Sequence, residues 1–313
     1  MNLLSHRSRR LIGLVLASSL LAAACGSSEA DSTDADSAGA ETPAAPTALN
    51  LGAIPDQDPE ILARNYGLVA DYLSQELEMD VTFQPVTEYD AAVTQFRVGD
   101  LDLVWFGGLT GVQARLQVDG ARAISQRDID AEFTTVFIAG TDTGIEPFDT
   151  VAGLSTIAGR TLTFGSDSST SGRLMPQSFL SQAGVALEDL EGEPGFSGSH
   201  DATIELVSAG TYEVGALNSQ VWAARLEEGA VDTSKVQVIF ETPTYYDYHW
   251  VARPELGDDL IARIQGALEG LDPSVPEEAV ILEFFGAASF VETVDANYAD
   301  IEAVARDIGK IEG

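Results

Sequence analysis

Hydroxyl-bearing residues crowd one stretch of this chain. Phe164-Gly165-Ser166-Asp167-Ser168-Ser169-Thr170-Ser171-Gly172 lies between a short apolar strand pattern and a helical one. At a helix start, unpaired backbone N–H groups and the positive end of the dipole favour an anion. Hydroxyls and amides together can wrap a tetrahedral oxyanion without adding charge, each charge-assisted bond contributing about 1.5–3 kcal/mol. The same stretch also reads as a Ser-rich turn with one N-cap serine. Arg173, one residue further, either adds positive charge to such a site or faces solvent. A second loop, Ser197-Gly198-Ser199-His200-Asp201, opens another helical pattern. Its adjacent Ser, His and Asp make no catalytic triad, because neighbouring side chains point apart; His200 is a candidate donor to an anion. In a third, Trp105-Phe106-Gly107-Gly108-Leu109-Thr110, the two glycines allow close backbone approach after an apolar strand, or form an ordinary tight turn.

Alternating strands and helices must position these loops. Ala48–Ile54 reads as a strand, and Asp58-Pro59 supplies an N-cap and an N1 proline. The helix that follows carries Leu62, Tyr66, Val69, Leu73 and Leu77 on one stripe. A strand at 80–85, a helix with Ala92, Val93 and Phe96, and the apolar strand Leu101–Phe106 complete a βαβαβ pattern. Continuous apolar strands argue for a parallel sheet covered on both faces. The pattern recurs in strands at Thr161–Phe164, Pro194–Phe196, Val214–Leu217 and Val236–Phe240, with helices between them. A final helix carries Tyr298, Ile301, Ala305 and Ile308 on one face. Two α/β units predict two lobes, with Thr134–Ala139 and Tyr248–Ala252 as the segments crossing between them. Ligands of such sheets bind at the carboxyl ends of the strands, so the cleft between lobes is the expected site.

The first residues set the compartment. Arg7, Arg9 and Arg10 precede the apolar stretch Leu11–Leu21, and Ala22, Ala23 and Ala24 lead to Cys25, the only cysteine. Such a segment is a secretory signal, too short to span a membrane permanently. Ser8-Arg9-Arg10-Leu11-Ile12 is also similar to a twin-arginine export motif. The run Leu20–Cys25 resembles a bacterial lipobox, which implies lipidation at Cys25, with an unlipidated secretory peptide as the alternative. Residues 26–50 are rich in Ser, Ala, Thr, Gly and Pro, carry acidic side chains and no basic one, and read as a disordered tether. Expected boundaries are a signal at 1–24, a tether at 25–47, a first lobe from 48–140 and 248–313, and a second from 141–247.

With 16 basic against 50 acidic residues the net charge is −34, so nucleic acid and anionic lipid surfaces are poor partners. Screening over about 8 Å still lets local donors in a cleft outvote a diffuse acidic surface. The histidines are His6, His200 and His249; no clustered His or Cys pattern suggests a metal, and no phosphate-binding lysine motif or GxGxxG suggests a cofactor.

Taken in order, Leu51-Gly52-Ala53-Ile54-Pro55, Asp58-Pro59-Glu60, Asp100 to Gly107, Ser169-Thr170-Ser171-Gly172 and Gly198-Ser199-His200-Asp201 resemble the phosphonate/phosphite/phosphate-type substrate-binding proteins of ABC importers. The run from Trp105 to Leu116 and the segment Ser169 to Pro176 look closest to a branch associated with selenate binding. The resemblance spans about residues 48–255 and implies an α/β, type II periplasmic-binding fold: two lobes joined by two crossing strands and closing on an oxyanion. It implies that Ser169, Thr170 and Ser171 grip the anion oxygens, joined by His200 and the Gly107-Gly108 loop. The position facing the ligand substituent, often acidic, falls at Asn218, so the acidic partner of an aminoalkyl group looks absent and a small oxyanion is favoured. The cluster Tyr245-Tyr246-Asp247-Tyr248-His249-Trp250 either walls the cleft or packs a hinge, and packing is the commoner use of buried aromatics.

The implied function is an extracytoplasmic, lipid-anchored binding protein, not an enzyme, that hands a phosphite, phosphonate, phosphate or selenate ion to an ABC permease. A secreted serine-dependent phosphoryl or ester hydrolase is the competing expectation; only His200 could serve it as base. An oxyanion sensor on the same fold, without a transporter, is a third.

Overall fold

The computed structural model describes residues 47–312. The predicted signal, Cys25 and nearly all of the tether lie outside the described residues. The first lobe begins with β1 (Ala48–Ala53), α1 (Pro59–Leu77), β2 (Asp80–Phe83), α2 (Tyr89–Val98), β3 (Leu103–Phe106), α3 (Gly108–Gln117) and β4 (Arg122–Arg127). The chain then crosses into β5 (Thr135–Gly140), β6 (Leu162–Phe164), α4 (Met175–Gln182), β7 (Gly195–Phe196), α5 (His200–Ser208), β8 (Val214–Asn218), α6 (Ser219–Glu227) and β9 (Val236–Glu241). It returns through β10 (His249–Ala252), α7 (Asp258–Glu269), α8 (Pro276–Phe285), β11 (Phe290–Glu292) and α9 (Ala299–Asp307). Among the described residues no helix is long and apolar enough to cross a membrane.

Local chemistry explains the elements that carry the site. The Asp58 carboxylate caps α1 by accepting from the N–H groups of Glu60 (2.9 Å) and Ile61 (3.2 Å), with Pro59 in the first turn. The expected stripe of α1 is buried, and Tyr66 stacks on Phe83 at 5.1 Å and meets Trp250 edge-on at 6.4 Å. On α9, Ile301 and Ala305 are buried, as is Tyr298 just before it.

Two sheets form, one per lobe. The first has strand order β11-β4-β10-β3-β1-β2 and the second β7-β6-β8-β5-β9. Neither is purely parallel, contrary to expectation. β1 runs parallel to β2 and β3, and β6 to β7 and β8, but β10 is antiparallel to β3 and β4, and β5 to β8 and β9. β11 is antiparallel to β4 and so is reversed as well. β5 and β10 each enter their sheet straight from the other lobe, whereas β11 turns back after α8 within the first lobe. The crossing segments are also displaced from Thr134–Ala139 and Tyr248–Ala252. Those stretches are strand interior, and Thr135–Gly140, expected in the first lobe, is a central strand of the second sheet. The crossings lie between β4 and β5 and between β9 and β10, pinned together by a bridge in which Phe133 and Tyr245 each donate to the other's carbonyl at 3.0 Å.

Candidate functional site

The hydroxyl-rich loop leaves β6 and enters α4 through a turn of π-helix at Thr170–Leu174, a wide turn that recurs at functional sites. Ser169 caps it: its Oγ accepts from the Gly172 N–H at 2.9 Å, and the Gly165 N–H donates to the Gly172 carbonyl at 2.9 Å. A Cβ on Gly172 would stand 3.0 Å from Ser169 Oγ and 3.3 Å from His200 Cε1, so glycine is what lets the loop close on the histidine.

Facing it across the cleft is the start of α3. Its N-cap, Gly107, offers no side chain to the free N–H groups of the first turn. Two residues from elsewhere take them. Gly108 donates to Asp247 Oδ1 and Leu109 to Thr170 Oγ1, both at 2.9 Å. A Cβ on Gly107 would lie 3.1 Å from Thr170 Oγ1 and 3.3 Å from Asp247 Oδ1, so this approach too depends on glycine.

His200 is fully buried at the first residue of α5, where its own N–H donates to the Asp56 carbonyl at 3.1 Å across the cleft. The Asn218 N–H donates to its Nδ1 at 3.4 Å, which leaves Nε2 as the protonated ring nitrogen, 3.3 Å from the Tyr248 hydroxyl. Burial holds the imidazole down to about 4, so near neutral pH it is an uncharged donor. The Tyr248 hydroxyl is a hub: it donates to Asp56 Oδ2 at 2.9 Å and accepts from Asn218 Nδ2 at 3.1 Å. Asn218 Oδ1 is spent on capping α6, accepting from Gln220 and Val221. Asn218 thus supports Tyr248 and His200 with all its polar groups engaged.

Polar atoms left over mark the centre. The hydroxyls of Tyr89 and Ser171 and Oδ2 of Asp247 are buried with no hydrogen-bond partner among the described residues. Ser169 approaches the Tyr89 hydroxyl, and Tyr245 approaches Ser171, without hydrogen-bond geometry. A buried polar group left unpaired costs about 1–3 kcal/mol; three of them border this one cleft, and others lie on Arg115, Arg173, His249 and Trp250.

The charge balance is unusual for an anion site. Burial pushes Asp56 up to about 6 and Asp247 up to about 7, so both exchange protons close to neutrality. The nearby cation is already committed: Arg127 grips Asp130 through Nε–Oδ2 (2.8 Å) and Nη2–Oδ1 (2.6 Å), with its Cζ 5.0 Å from the Tyr248 ring centre. Arg173 neither charges the site nor faces solvent. It is 6 % exposed, lies over the Phe164 ring at 4.4 Å and pairs with Asp167 and Gln177.

The sequence-predicted residues Gly107, Gly108, Ser169, Thr170, Ser171 and His200 converge here, with Asn218 behind them. The position at the end of β8 is the neutral Asn218, as read from the sequence, but two carboxyls reach the cleft from elsewhere. Carboxyls arrive from the β1–α1 loop (Asp56) and the second crossing (Asp247), not from the end of β8. The aromatic cluster divides its work. Tyr246 and Trp250 pack against Tyr298 and the Trp105–Phe285 core, while Asp247 and Tyr248 enter the cleft. Tyr89, the first residue of α2, carried no sequence signal beyond a helix start. Asp201 points to Arg225 Nε at 2.6 Å, away from His200's polar atoms.

Two α/β lobes closing on buried hydroxyls, helix starts and a histidine define a periplasmic binding protein of type II fold. The model of the family described as "ABC transporter, phosphonate, periplasmic substrate-binding protein" matches residues 51–298, and the chain belongs to that family. It is 44% identical over 271 residues to a probable ABC transporter phosphite binding protein, PhnD1, of Prochlorococcus marinus (strain MIT 9301), covering 85% of this chain and 91% of that one. The solved structure of PhnD1 in complex with methylphosphonate superposes with a TM-score of 0.82 at 43% identity, over 85% of this chain and 99% of that one. The phosphate-import protein PhnD of Mycolicibacterium smegmatis (strain ATCC 700084 / mc(2)155) is 25% identical over 260 residues, covering 79% of this chain and 77% of that one. The protein is accordingly an extracytoplasmic substrate-binding component of an ABC importer.

Proposed function

We propose that the ligand is a small phosphorus oxyanion that still carries a proton, with phosphite and short alkylphosphonates as the leading members. The observation that carries this is the set of unpaired atoms: two hydroxyls able to donate, and one carboxylate oxygen able only to accept while ionised. Ser169, Thr170, Ser171, Tyr89 and His200 supply donors to oxygens that carry the charge. Asp247 Oδ2 accepts from the acidic P–OH. Selenate and sulfate, fully ionised near neutrality, offer no such proton and are disfavoured. Gly107, Gly108 and Asn218 shape and brace this arrangement.

A hydrolase is not supported by the same atoms. His200 has its Nδ1 on a backbone amide, its Nε2 on a tyrosine, and a proton affinity too low for an effective base at neutral pH. The exported chain is proposed to begin at Cys25, lipidated, with residues 25–47 as a tether that holds the lobes near the permease. Cys25→Ser should release the protein from membranes without altering ligand affinity; retention in the membrane fraction would exclude the anchor.

Calorimetry with phosphite, methylphosphonate, phosphate, sulfate and selenate tests the ligand class. Binding of phosphite or methylphosphonate with sulfate and selenate silent is expected. Sulfate or selenate binding as tightly as either would overturn the proton-acceptor role of Asp247, and silence of every phosphorus oxyanion would overturn the ligand class.

A further inference from the structure

Among the described residues one ion pair joins the two lobes, at the edge of the cleft; elsewhere the Asp58 N–H donates to Asp201 Oδ2 at 3.1 Å and Arg225 Nη2 to Gln57 Oε1 at 3.3 Å. The C-terminal segment after α9 is fixed to the first lobe: the Lys310 N–H donates to the Ala305 carbonyl at 2.7 Å, and Gln113 Nε2, on α3, donates to the Lys310 carbonyl at 3.2 Å. From this anchored backbone the Lys310 ammonium reaches across the cleft to Asp167 Oδ2 at 2.5 Å. Asp167 stands two residues before Ser169. Its other oxygen, Oδ1, faces Arg173 Nε at 3.5 Å on the same loop. Arg173 is itself immobilised over Phe164 and Phe196. In a chain with 16 basic residues against 50 acidic ones, two cations converge on one carboxylate.

We propose that Lys310 is a closure latch: by pairing with Asp167 it holds the second lobe's hydroxyl loop against the start of α3 and slows ligand escape. Lys310 touches no ligand atom and is a positioning residue; the inference rests on the ligand reading above only for the choice of probe. The latch links both walls of the site through short, stiff paths. On one side Gln113 lies five residues along α3 from Gly108, and on the other Asp167 sits in the loop that ends in Ser169, Thr170 and Ser171. A second contact of the same sense lies beside it, Ser168 Oγ donating to Asp90 Oδ1 at 2.5 Å, so the loop is held to the first lobe at two neighbouring residues. Opening the cleft must break the Lys310–Asp167 pair, whereas the encounter of ligand with the open cleft does not. The pair therefore acts on the rate of dissociation.

Stopped-flow displacement of methylphosphonate from the full chain reads this directly. Lys310→Ala should speed dissociation about two- to fivefold at low salt, the range of a partly exposed ion pair, and Lys310→Glu should exceed that. Lys310→Arg should restore the parent rate. In 1 M salt, where the screening length is about 3 Å, the variants and the parent should converge. The double variant Lys310→Ala with Asp167→Asn should dissociate no faster than Asp167→Asn alone. Lys235→Glu, an equal charge change remote from the cleft, should leave the rate unchanged. Parental rates in both Lys310→Ala and Lys310→Glu, or additive effects in the double variant, would overturn the latch. If the parent binds neither methylphosphonate nor phosphite, the ligand reading fails and the latch is judged by small-angle scattering. Lys310→Glu should then enlarge the radius of gyration at low salt, and an unchanged radius would overturn it.

Discussion

Asp130 and Asp247 are both fully buried, both flank a crossing between lobes, and the Asp247 N–H donates to the Asp130 carbonyl. Yet they do opposite things. Asp130 has both oxygens filled, by a bidentate Arg127 and by that residue's N–H. Asp247 has one oxygen on the Gly108 N–H and the other on nothing. Burial therefore does not distinguish the hinge from the site. What separates these two carboxylates is their pairing: Asp130 is saturated, and Asp247 keeps one oxygen free.

The largest expected loss lies at the Arg127–Asp130 pair. Arg127→Met strands the Asp130 carboxylate in the interior, and removing one partner of a buried pair costs about 3–5 kcal/mol. Urea denaturation should show that loss whether or not ligand is present; a loss below about 1 kcal/mol would mean that Asp130 is not held as the geometry implies. Asp247→Asn should do the reverse, weakening methylphosphonate binding by about 1.5–3 kcal/mol, one to two decades, while preserving the fold.

The same variant sharpens the contrast through pH. Asp247 has its folded value raised to about 7, above the roughly 4 of an exposed aspartate. The folded state therefore holds a proton that the unfolded chain has lost, and stability falls as pH rises from about 4 towards 7. Denaturation midpoints of the parent should decline over that window, with Asp56 adding to the decline up to about 6. Asp247→Asn should flatten the slope, so that the variant is at least as stable as the parent at pH 8. An unchanged slope would place the titration elsewhere.

Smaller effects come from the donors. Thr170→Val removes the hydroxyl that Leu109 donates to and that lies against Asp247; it should cost about 1–3 kcal/mol of binding, with calorimetry as the check. Tyr89→Phe deletes a hydroxyl with no protein partner. It should leave stability unchanged and weaken binding by about 0.5–1.5 kcal/mol. Lower stability with full affinity would assign that hydroxyl to the fold.

Local signals in the sequence suffice for the hydroxyl loop, the cap of α1 and the helix start at His200, because each is written in consecutive residues. Ser169, Thr170, Ser171, Gly107 and Gly108 are legible for that reason. Asp56, Tyr89, Asp247 and Tyr248 are not. Their meaning depends on being carried from three separate points of the chain to one cleft, and a lone Asp after a strand or a Tyr at a helix start has many ordinary uses. Within Tyr245 to Trp250 only His249 and Trp250 belong to β10; Asp247 and Tyr248 precede it and both enter the cleft, while Tyr246 and Trp250 pack against aromatic neighbours, so no single role covers the whole cluster. Arg173 is hidden for a related reason: only the fold brings Phe196 over the same guanidinium as Phe164. The reversal of β5 and β10 is invisible in the sequence because direction leaves no trace in an apolar run.

The widened turn at Thr170–Leu174 has a consequence for how this loop tolerates length change. One extra residue in a helical turn offsets everything after it by about 100°. Here that offset lets Ser171 reach Thr135 Oγ1 with its carbonyl at 2.8 Å while Met175, Phe179 and Leu180 still turn their apolar side inward. Deleting a single residue between Ser169 and Leu174 would rewind the turn and force a choice of phase. Either the hydroxyls would swing off the cleft or α4 would present the wrong side to its sheet. Point substitutions in this loop are therefore graded changes, whereas a one-residue deletion is a frame shift in three dimensions.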